Sequence, residues 1–296
     1  MWAAEPARLS AAPGKPRGAD LSGGRERAWP ELYRRAAIFP VAEPDAGTKL
    51  TLLGDTETIS PDALPDLYAY PEPLSRCWVR SNFITSLDGG ATLDGVSGGL
   101  AGPGDRALFK VLRELADVVL VGAGTVRMEH YGGAVLSAAA RDARQRRGQA
   151  ELPPIAIVTA SGRLDRDMKV FTASEVTPIV LTSADVAVDT RSRLSGVAEV
   201  LSCSDRDTAT VDLGVVLDRL AAKDLLRVLT EGGPTLHAAF IESDRLDELC
   251  LTIAPTLVGG SARRIATGPG QIDAGYTRVH LIADDAGYLY TRYVRA

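Results

Sequence analysis

A glutamate and two glycines separate an apolar run from a helix-like run in the segment LTEGGPTLHAAF, residues 229–240. Glycines let a backbone approach a phosphate closely, and the free N–H groups at the start of the next helix point toward it. The carboxylate of Glu231 would then face a substrate beside that phosphate. Plain turn chemistry is the alternative, because a short loop between a strand and a helix favours glycine and hydroxyl side chains for its geometry.

Polar segments also follow three other apolar runs that are predicted to be strands. In an open parallel sheet, ligands bind beyond the carboxyl ends of the strands. The three segments are Ser86-Leu87-Asp88-Gly89-Gly90, Gly122-Ala123-Gly124-Thr125 and Thr159-Ala160-Ser161-Gly162-Arg163. Turn geometry explains any one of these loops, but several small, hydroxyl-rich loops at one sheet edge favour a dinucleotide.

The dinucleotide would require a fold other than the two commonest nucleotide-binding folds. The run VGAGT lacks the third glycine of a Rossmann fingerprint and the acid about 20 residues further on, and no Lys-Ser or Lys-Thr follows it as in a P-loop. Arg163 would suit the 2′-phosphate of NADPH, because a guanidinium donates paired hydrogen bonds to phosphate oxygens. An ordinary solvated loop arginine is an equally good interpretation.

The composition indicates a small-molecule ligand as the partner. A net charge of −5 gives no reason to expect nucleic acid or an anionic membrane surface. The sequence lacks a run of about 18 apolar residues that would predict a membrane span. Its first ten residues, MWAAEPARLS, lack the apolar core of a signal peptide. We therefore expect no membrane association and a cytoplasmic location.

The cysteines and histidines predict no metal site. Cys77, Cys203 and Cys250 are far apart, and each lies in or beside an apolar run, which is typical of small buried side chains. The His-x-Glu and Pro-Cys-x-x-Cys signature of zinc deaminases is missing.

Apolar, β-branched runs alternate with amphipathic helical segments from Cys77 onward. This alternation predicts an α/β fold of three layers, α/β/α, around a mostly parallel central sheet. LDELCLTIAPTLVG and YLYTRYVRA alternate like half-exposed strands and predict antiparallel strands at the C-terminal edge. The basic run Arg141–Gln149 is expected to be a solvated face or loop.

The chain is predicted to have three parts. Residues 1–45 are rich in Ala, Pro, Gly and Arg, which predicts a weakly ordered extension. Residues 46–73 are expected to be an extended linker or edge segment, because four prolines lie within Ser60–Pro73. The α/β domain is expected to occupy residues 74–296.

Three motifs, taken with their spacing, resemble the riboflavin-biosynthesis pyrimidine reductase family. They are ITSLDGG, LRELADVVLVGAGTVR and LTEGGPTLHAAFIESDRLDELCLTIAPTLVGG, and the resemblance runs from about Trp78 to the C-terminus. It implies a dihydrofolate-reductase-like fold, NADPH as hydride donor, a homodimer, and activity of the 5-amino-6-(5-phosphoribosylamino)uracil reductase type. Bacterial members are often fused to a zinc deaminase; its signature is missing here, so we expect a stand-alone reductase.

The resemblance also implies roles for the matching residues. Glu231 and Asp88 are the expected catalytic acids, with Glu231 as the substrate anchor. The expected substrate-binding residues are Asn82, Ser86, Ser97, Arg113 and Glu129. The expected cofactor-binding residues are Gly122, Gly124, Thr125, Thr159, Ser161, Arg163, Gly232, Gly233, Pro234 and Thr235.

The sequence departs from the family pattern after Thr125. Members commonly continue GTVRADDP, whereas this chain reads GTVRMEHYGG. Many fused enzymes also carry lysine where Asn82 stands. Because these residues border the substrate, two alternatives stay open: reduction of dihydrofolate or a pterin on the same fold, and NADPH binding without turnover.

Overall fold

The computed structural model describes residues 58–296, so the predicted extension at residues 1–45 and the beginning of the predicted linker lie outside it. The described residues form one sheet of nine strands. The strands are β1 Trp78–Thr85, β2 Val118–Gly122, β3 Ile155–Thr159, β4 Ile179–Thr182, β5 Glu199–Ser202, β6 Arg227–Thr230, β7 Glu248–Ile253, β8 Tyr276–Ala283 and β9 Leu289–Arg295. The α-helices are α1 Leu64–Leu67, α2 Pro103–Leu115, α3 Ala123–Met128, α4 Ala138–Arg146, α5 Lys169–Thr172, α6 Ala184–Arg193, α7 Leu213–Ala221 and α8 Pro234–Glu242. Short 3-10 helices cover Pro61–Ala63 and Ser97–Gly99.

The strand order confirms the predicted fold class. The order is β5-β4-β3-β2-β6-β1-β7-β9-β8. Neighbours from β5 to β7 are parallel, and β9 pairs antiparallel with β7 and β8. The chain therefore has a mostly parallel sheet with two antiparallel strands at its C-terminal edge.

Alternation along β2 shows why helices cover both faces. Val119 and Val121 belong to one apolar cluster, while Val118 and Leu120 belong to the other. Successive side chains of a strand point to opposite faces of the sheet, so a strand that is apolar throughout needs a helix layer on each face. Helices α2 and α5 contribute to the first cluster, and α7 and α8 contribute to the second.

The segment Ser60–Pro73 differs from the extended chain that its prolines predicted. Residues 61–67 form a 3-10 helix followed by α1, and both helices have proline in the first turn, where its missing N–H costs nothing. Tyr68 and Tyr70 are buried in the core cluster on one face of the sheet. The described part of the predicted linker therefore packs on the domain.

The basic run Arg141–Gln149, predicted to be a solvated face or loop, lies mostly within α4, and all of its residues except Arg144 are exposed or half-buried. Arg144 is the exception, because its side chain is buried. The Arg144 guanidinium donates to the carbonyl oxygens of Glu114 and Ala116 at 2.8 and 2.5 Å. These carbonyls lie at the end of α2 and have no hydrogen-bond partner within the helix. Because backbone carbonyls carry no charge, the pattern of charged residues in the sequence could not reveal that Arg144 binds them.

Strand β7 differs in part from its prediction as an antiparallel strand. It pairs parallel with β1 and antiparallel with β9, so the change of direction occurs one strand later. Strand β8 was not predicted. None of the helices in the described part has the length and apolar composition of a membrane span.

Candidate functional site

A cavity of about 860 Å³ opens at the carboxyl ends of β1, β2, β3 and β6. Its walls include twelve of the residues predicted from the sequence. They are Asn82, Ser97, Arg113, Gly122, Gly124, Thr125, Glu129, Thr159, Glu231, Gly233, Pro234 and Thr235. The volume falls within the usual range for a small-molecule or cofactor site.

The loops after β2 and β6 meet in the wall of this cavity. The Gly122 N–H donates to the Gly232 carbonyl oxygen at 2.8 Å. Gly232 has φ +104°, a backbone conformation that residues other than glycine rarely adopt. A Cβ at Gly233 would lie 2.7 Å from the Thr125 Oγ1, so the two loops touch. The helices α3 and α8 therefore begin side by side.

The beginnings of α3 and α8 both line the cavity. The first backbone N–H groups of a helix have no intrahelical partner, and the helix dipole favours an anion there. The cavity-lining residues at the start of α3 are Ala123, Gly124 and Thr125, and those at the start of α8 are Pro234 and Thr235. This pair of helix starts can hold a pyrophosphate.

Glu231, Arg113 and Tyr131 form one hydrogen-bonded unit. The Arg113 Nε and Nη2 donate to the two carboxylate oxygens of Glu231, each at 2.7 Å. The Tyr131 hydroxyl donates to Glu231 Oε2. The side chains of Arg113 and Glu231 are only 13% and 3% exposed. The predicted substrate anchor is therefore held in a fixed position by a buried, bidentate ion pair.

Burial and charge shift the titration of this unit. Burial, followed by the neighbouring Glu231 carboxylate, raises the pKa of Tyr131 well above its ordinary value. Burial alone would lower the pKa of Arg113, but Glu231 outweighs it and the pKa is raised. Tyr131 therefore stays protonated and remains a hydrogen-bond donor. Arg113 also stays charged, and the Glu231 carboxylate neutralises its charge.

Ser97 and Glu129 join two walls of the cavity. The Ser97 N–H and hydroxyl both donate to Glu129 Oε1, at 3.0 and 3.1 Å. Ser97 begins a 3-10 helix after β1, and Glu129 caps the end of α3. The two predicted substrate-binding residues are therefore partners of each other.

Ser86 and Asp88 do not line the cavity. The Asp88 carboxylate accepts from the Ser86 hydroxyl at 2.5 Å and from the Val258 and Gly259 N–H groups at 3.2 and 2.7 Å. The Ser86 hydroxyl, followed by these backbone donors, lowers the pKa of Asp88 to about 2. The carboxylate thus connects the loop after β1 to the loop after β7.

The third glycine-rich loop contributes less than its sequence predicted. Thr159, at the end of β3, lines the cavity, but Ser161 and Arg163 do not. Both are exposed, and the Ser161 hydroxyl accepts from the Arg163 N–H at 3.4 Å. They follow Thr159 in the chain but lie outside the cavity lining.

The family model of the RibD C-terminal domain matches residues 77–290 of the chain. The chain belongs to this family. The match confirms the resemblance that the three sequence motifs predicted.

Proteins similar to this member of the RibD C-terminal domain family come from archaea and bacteria. Two are named 2,5-diamino-6-ribosylamino-4(3H)-pyrimidinone 5′-phosphate reductase. The Archaeoglobus fulgidus protein is 28% identical over 156 residues, which cover 53% of this chain and 69% of that protein. The Methanothermobacter thermautotrophicus protein is 28% identical over 197 residues, covering 66% and 86%. The crystal structure of a pyrimidine reductase-like protein from Corynebacterium diphtheriae has a TM-score of 0.69 at 27% identity, covering 79% of this chain and 98% of that one.

Several cavity residues of this RibD-family chain were missed in the sequence. Asp105 and Phe109 precede Arg113 at intervals of four, so all three lie on one face of α2. That spacing was available, but Arg113 alone had been considered. The cavity-lining arginines Arg106 and Arg263 form no ion pair within residues 58–296, and no local pattern marks them.

Proposed function

We propose that this chain is an NADPH-dependent reductase of a phosphorylated ribosylamino-pyrimidine in riboflavin biosynthesis. The observation that carries the proposal is that Glu231 and the starts of α3 and α8 line the same cavity. The names of the archaeal relatives support the substrate class.

A nicotinamide dinucleotide fits the residues present. The starts of α3 and α8 supply backbone N–H groups for its pyrophosphate. We assign recognition of the adenosine 2′-phosphate, which distinguishes NADPH from NADH, to Thr159 and to the exposed Ser161 and Arg163 that follow it in the chain. The nicotinamide, when bound, supplies the hydride, while the protein contributes position and charge.

The reaction proposed is reduction of the open-chain imine of the ribosylamine. The imine carbon accepts the hydride, and the nitrogen accepts a proton from water, which gives the ribitylamine. Glu231, held by Arg113 and Tyr131, accepts hydrogen bonds from the substrate and fixes its orientation.

The phosphate ester has a different partner from the one the sequence suggested. Arg113 is already in a bidentate pair with Glu231. Arg106 and Arg263 line the same cavity, are exposed, and form no ion pair within the described residues. We therefore assign the phosphate to these two arginines.

The decisive experiment replaces Glu231 by Gln. Turnover of the pyrimidine should fall sharply, while the dissociation constant for NADPH should stay nearly unchanged, because the cofactor contacts lie on other residues. Glu175→Gln is the control: Glu175 also makes a bidentate pair, with Arg141, but does not line the cavity. If Glu231→Gln turned over the pyrimidine at the wild-type rate, Glu231 would not be the substrate anchor.

Reduction of dihydrofolate or a pterin is a second candidate. Arg113 is paired internally, so this part of the cavity does not demand a phosphate on the substrate. NADPH oxidation should be followed with the ribosylamino-pyrimidine phosphate and with dihydrofolate, and NADH should be compared with NADPH. If the protein binds NADPH but oxidises it with neither substrate, it would be an NADPH-binding protein without turnover.

We further propose that residues 74–296 form the reductase domain, that it works as a homodimer, and that it acts in the cytoplasm. The family match at residues 77–290 supports the domain bounds. The edge strand β8, which has four exposed and no buried residues, supports the homodimer as a surface on which a second copy could pair. Light scattering of the purified chain tests the dimer.

A further inference from the structure

Asp88 has no part in the function proposed above, although its motif predicted a catalytic acid. It is exposed and does not line the cavity. Its carboxylate accepts hydrogen bonds from the Ser86 hydroxyl and from the N–H groups of Val258 and Gly259. Charge-assisted hydrogen bonds to two successive N–H groups hold the loop after β7 in one position. What Asp88 does for the reaction therefore depends on what that loop carries.

The loop after β7 carries Arg263 into the cavity wall. Arg263 is one of the two arginines to which we assign the phosphate of the substrate. It forms no ion pair within residues 58–296, so no acidic side chain of this part of the chain holds its guanidinium. The position of this guanidinium therefore depends on the backbone that carries it.

Backbone hydrogen bonds join the loops after β1 and β7 on both sides of the Asp88 contact. On one side, the Leu87 N–H donates to the Thr256 carbonyl oxygen at 2.8 Å. On the other side, the Ala91 N–H donates to the Arg263 carbonyl oxygen at 2.8 Å, and Ala91 itself lines the cavity. Asp88 thus lies in the middle of a row of contacts that ends at Arg263.

Two glycines make the centre of the loop after β7 dependent on such a contact. Gly259 and Gly260 have φ +60° and +64°, and a Cβ at either position would meet no atom within 4 Å. Neighbouring glycines in open space gain much conformational freedom when nothing binds them. The Asp88 carboxylate accepts from the Gly259 N–H at 2.7 Å, and so restricts this freedom four residues before Arg263.

We propose that Asp88 is a positioning residue, which fixes the loop after β7 so that the Arg263 guanidinium meets the phosphate of the substrate. Asp88 acts through Arg263 and touches neither the substrate nor the cofactor. The inference rests on the proposed function and deepens it, because it connects a motif outside the cavity to the choice of a phosphorylated substrate.

The test compares kcat/KM for the ribosylamino-pyrimidine phosphate and for the same compound without its phosphate. In Asp88→Asn the side chain keeps its size, but one carboxylate oxygen becomes an NH2 group that cannot accept from a backbone N–H. The preference for the phosphorylated compound should fall about tenfold, through a higher KM, because a hydrogen bond to a charged group is lost. The kcat at saturation and the dissociation constant for NADPH should stay nearly unchanged.

Asp165→Asn is the control for the loss of an exposed loop carboxylate. Asp165 also accepts a backbone N–H, from Asp167 at 3.1 Å, and does not line the cavity. It should keep the wild-type preference for the phosphorylated compound.

The double variant Asp88→Asn/Arg263→Gln shows whether Asp88 acts through Arg263. Arg263→Gln alone should lower the preference about tenfold or more, because a guanidinium binds phosphate oxygens in pairs. Adding Asp88→Asn should then cost nothing further, since the group that Asp88 positions is gone. Losses that multiply in the double variant would overturn the inference.

Three results for Asp88→Asn would also overturn it: an unchanged preference, an equal loss on both compounds, or a loss of NADPH binding. These results would leave the proposed function in place. A wild type without preference for the phosphorylated compound would instead remove the phosphate assignment to Arg263, and this inference with it. Turnover of neither compound by the wild type would remove the proposed function itself.

Discussion

Glu231 and Arg113 depend on each other at the level of single residues. Each nearly buried charge is acceptable because the other matches it, and Tyr131 adds a third hydrogen bond. Removing one partner of such a pair leaves the other charge buried and unmatched, which costs far more than replacing both.

A double-mutant cycle tests this dependence. Arg113→Met should lower the free energy of unfolding by about 3–5 kcal/mol, because the Glu231 carboxylate stays buried without its partner. Arg113→Met/Glu231→Met should recover most of that loss, since neither charge remains. Urea denaturation at pH 7 measures both. A double variant as unstable as the single one would contradict the coupling.

His237 should make stability depend on pH in a narrow window. Its buried ring lies 4.4 Å from the Phe83 ring, and its Nδ1 hydrogen-bonds the Ile265 carbonyl oxygen at 3.0 Å. Burial lowers its pKa from 6.5 to about 4, against the smaller effect of the Ile265 carbonyl. Between these values the unfolded chain binds a proton that the folded chain does not, so stability is present above pH 6.5 and falls as the pH falls toward 4.

The expected size follows from that window. From pH 7 to pH 5, His237 should cost the wild type about 2 kcal/mol of unfolding free energy. His237→Gln should lack this loss, whatever its stability at pH 7. Urea denaturation at the two pH values gives the comparison, and parallel losses in both proteins would refute the assignment.

The sequence revealed the types of the site residues better than their partners. Glu231 could be predicted because it follows a strand in a short motif. Its hydrogen-bond partners Arg113 and Tyr131 lie 118 and 100 positions away, so only the fold brings them together. Asp88 had a similar loop signature but turns toward the loop after β7, which its local sequence does not encode.

At the level of elements, the starts of α3 and α8 act together. Their loops are joined by the Gly122–Gly232 hydrogen bond and by the close approach of Thr125 to Gly233. A shift of one loop should therefore move the other.

A Cβ at Gly233 tests this connection. Gly233→Ala should push the Thr125 hydroxyl aside, because the new methyl group would lie 2.7 Å from it, and the dissociation constant for NADPH should rise about tenfold or more. Thr125→Ala/Gly233→Ala removes the clash and should bind NADPH more tightly than Gly233→Ala alone. Fluorescence titration measures the affinity. Weaker binding by the double variant would show that contact with the cofactor, not crowding, is responsible.

Elements with an apolar period were predictable, whereas elements defined by a distant partner were not. Helix α2 follows its leucine spacing, and Leu108, Leu112 and Leu115 are buried as that spacing requires. Helix α4 was missed because its buried Arg144 serves the carbonyls at the end of α2. Strand β8 has no buried residue, and Thr277, Arg278 and His280 interrupt its apolar residues, so it lacks the continuous apolar run that marks the inner strands.

At the scale of the whole molecule, a buried charge cluster joins the N-terminal part of the domain to the antiparallel edge of the sheet. The Glu248 carboxylate on β7 accepts from Arg80 on β1 at 3.0 Å and from Arg292 on β9 at 2.8 Å. Arg292 also donates to the carbonyl oxygens of Leu67 and Ala69, at 2.5 and 3.0 Å. The cluster therefore fixes three strands and the segment after α1 in one arrangement.

Glu248→Gln tests how far the fold depends on this cluster. Burial alone would raise the pKa of Glu248, but Arg80 and Arg292 outweigh it and hold the pKa below the ordinary 4.5. Its contribution should be complete above pH 4.5 and be lost as the pH falls through the folded-state pKa. The variant leaves two guanidiniums without their counter-charge and should lose about 3–5 kcal/mol at pH 7.

Acid denaturation distinguishes this charge effect from a packing effect. Wild type should lose stability steeply below pH 4.5, whereas Glu248→Gln should start lower and fall less steeply, because it has no carboxylate to protonate there. Glu175→Gln, in an exposed arginine pair, should follow the wild-type curve. Parallel acid curves for wild type and Glu248→Gln would mean that shape rather than charge holds β1, β7 and β9 together.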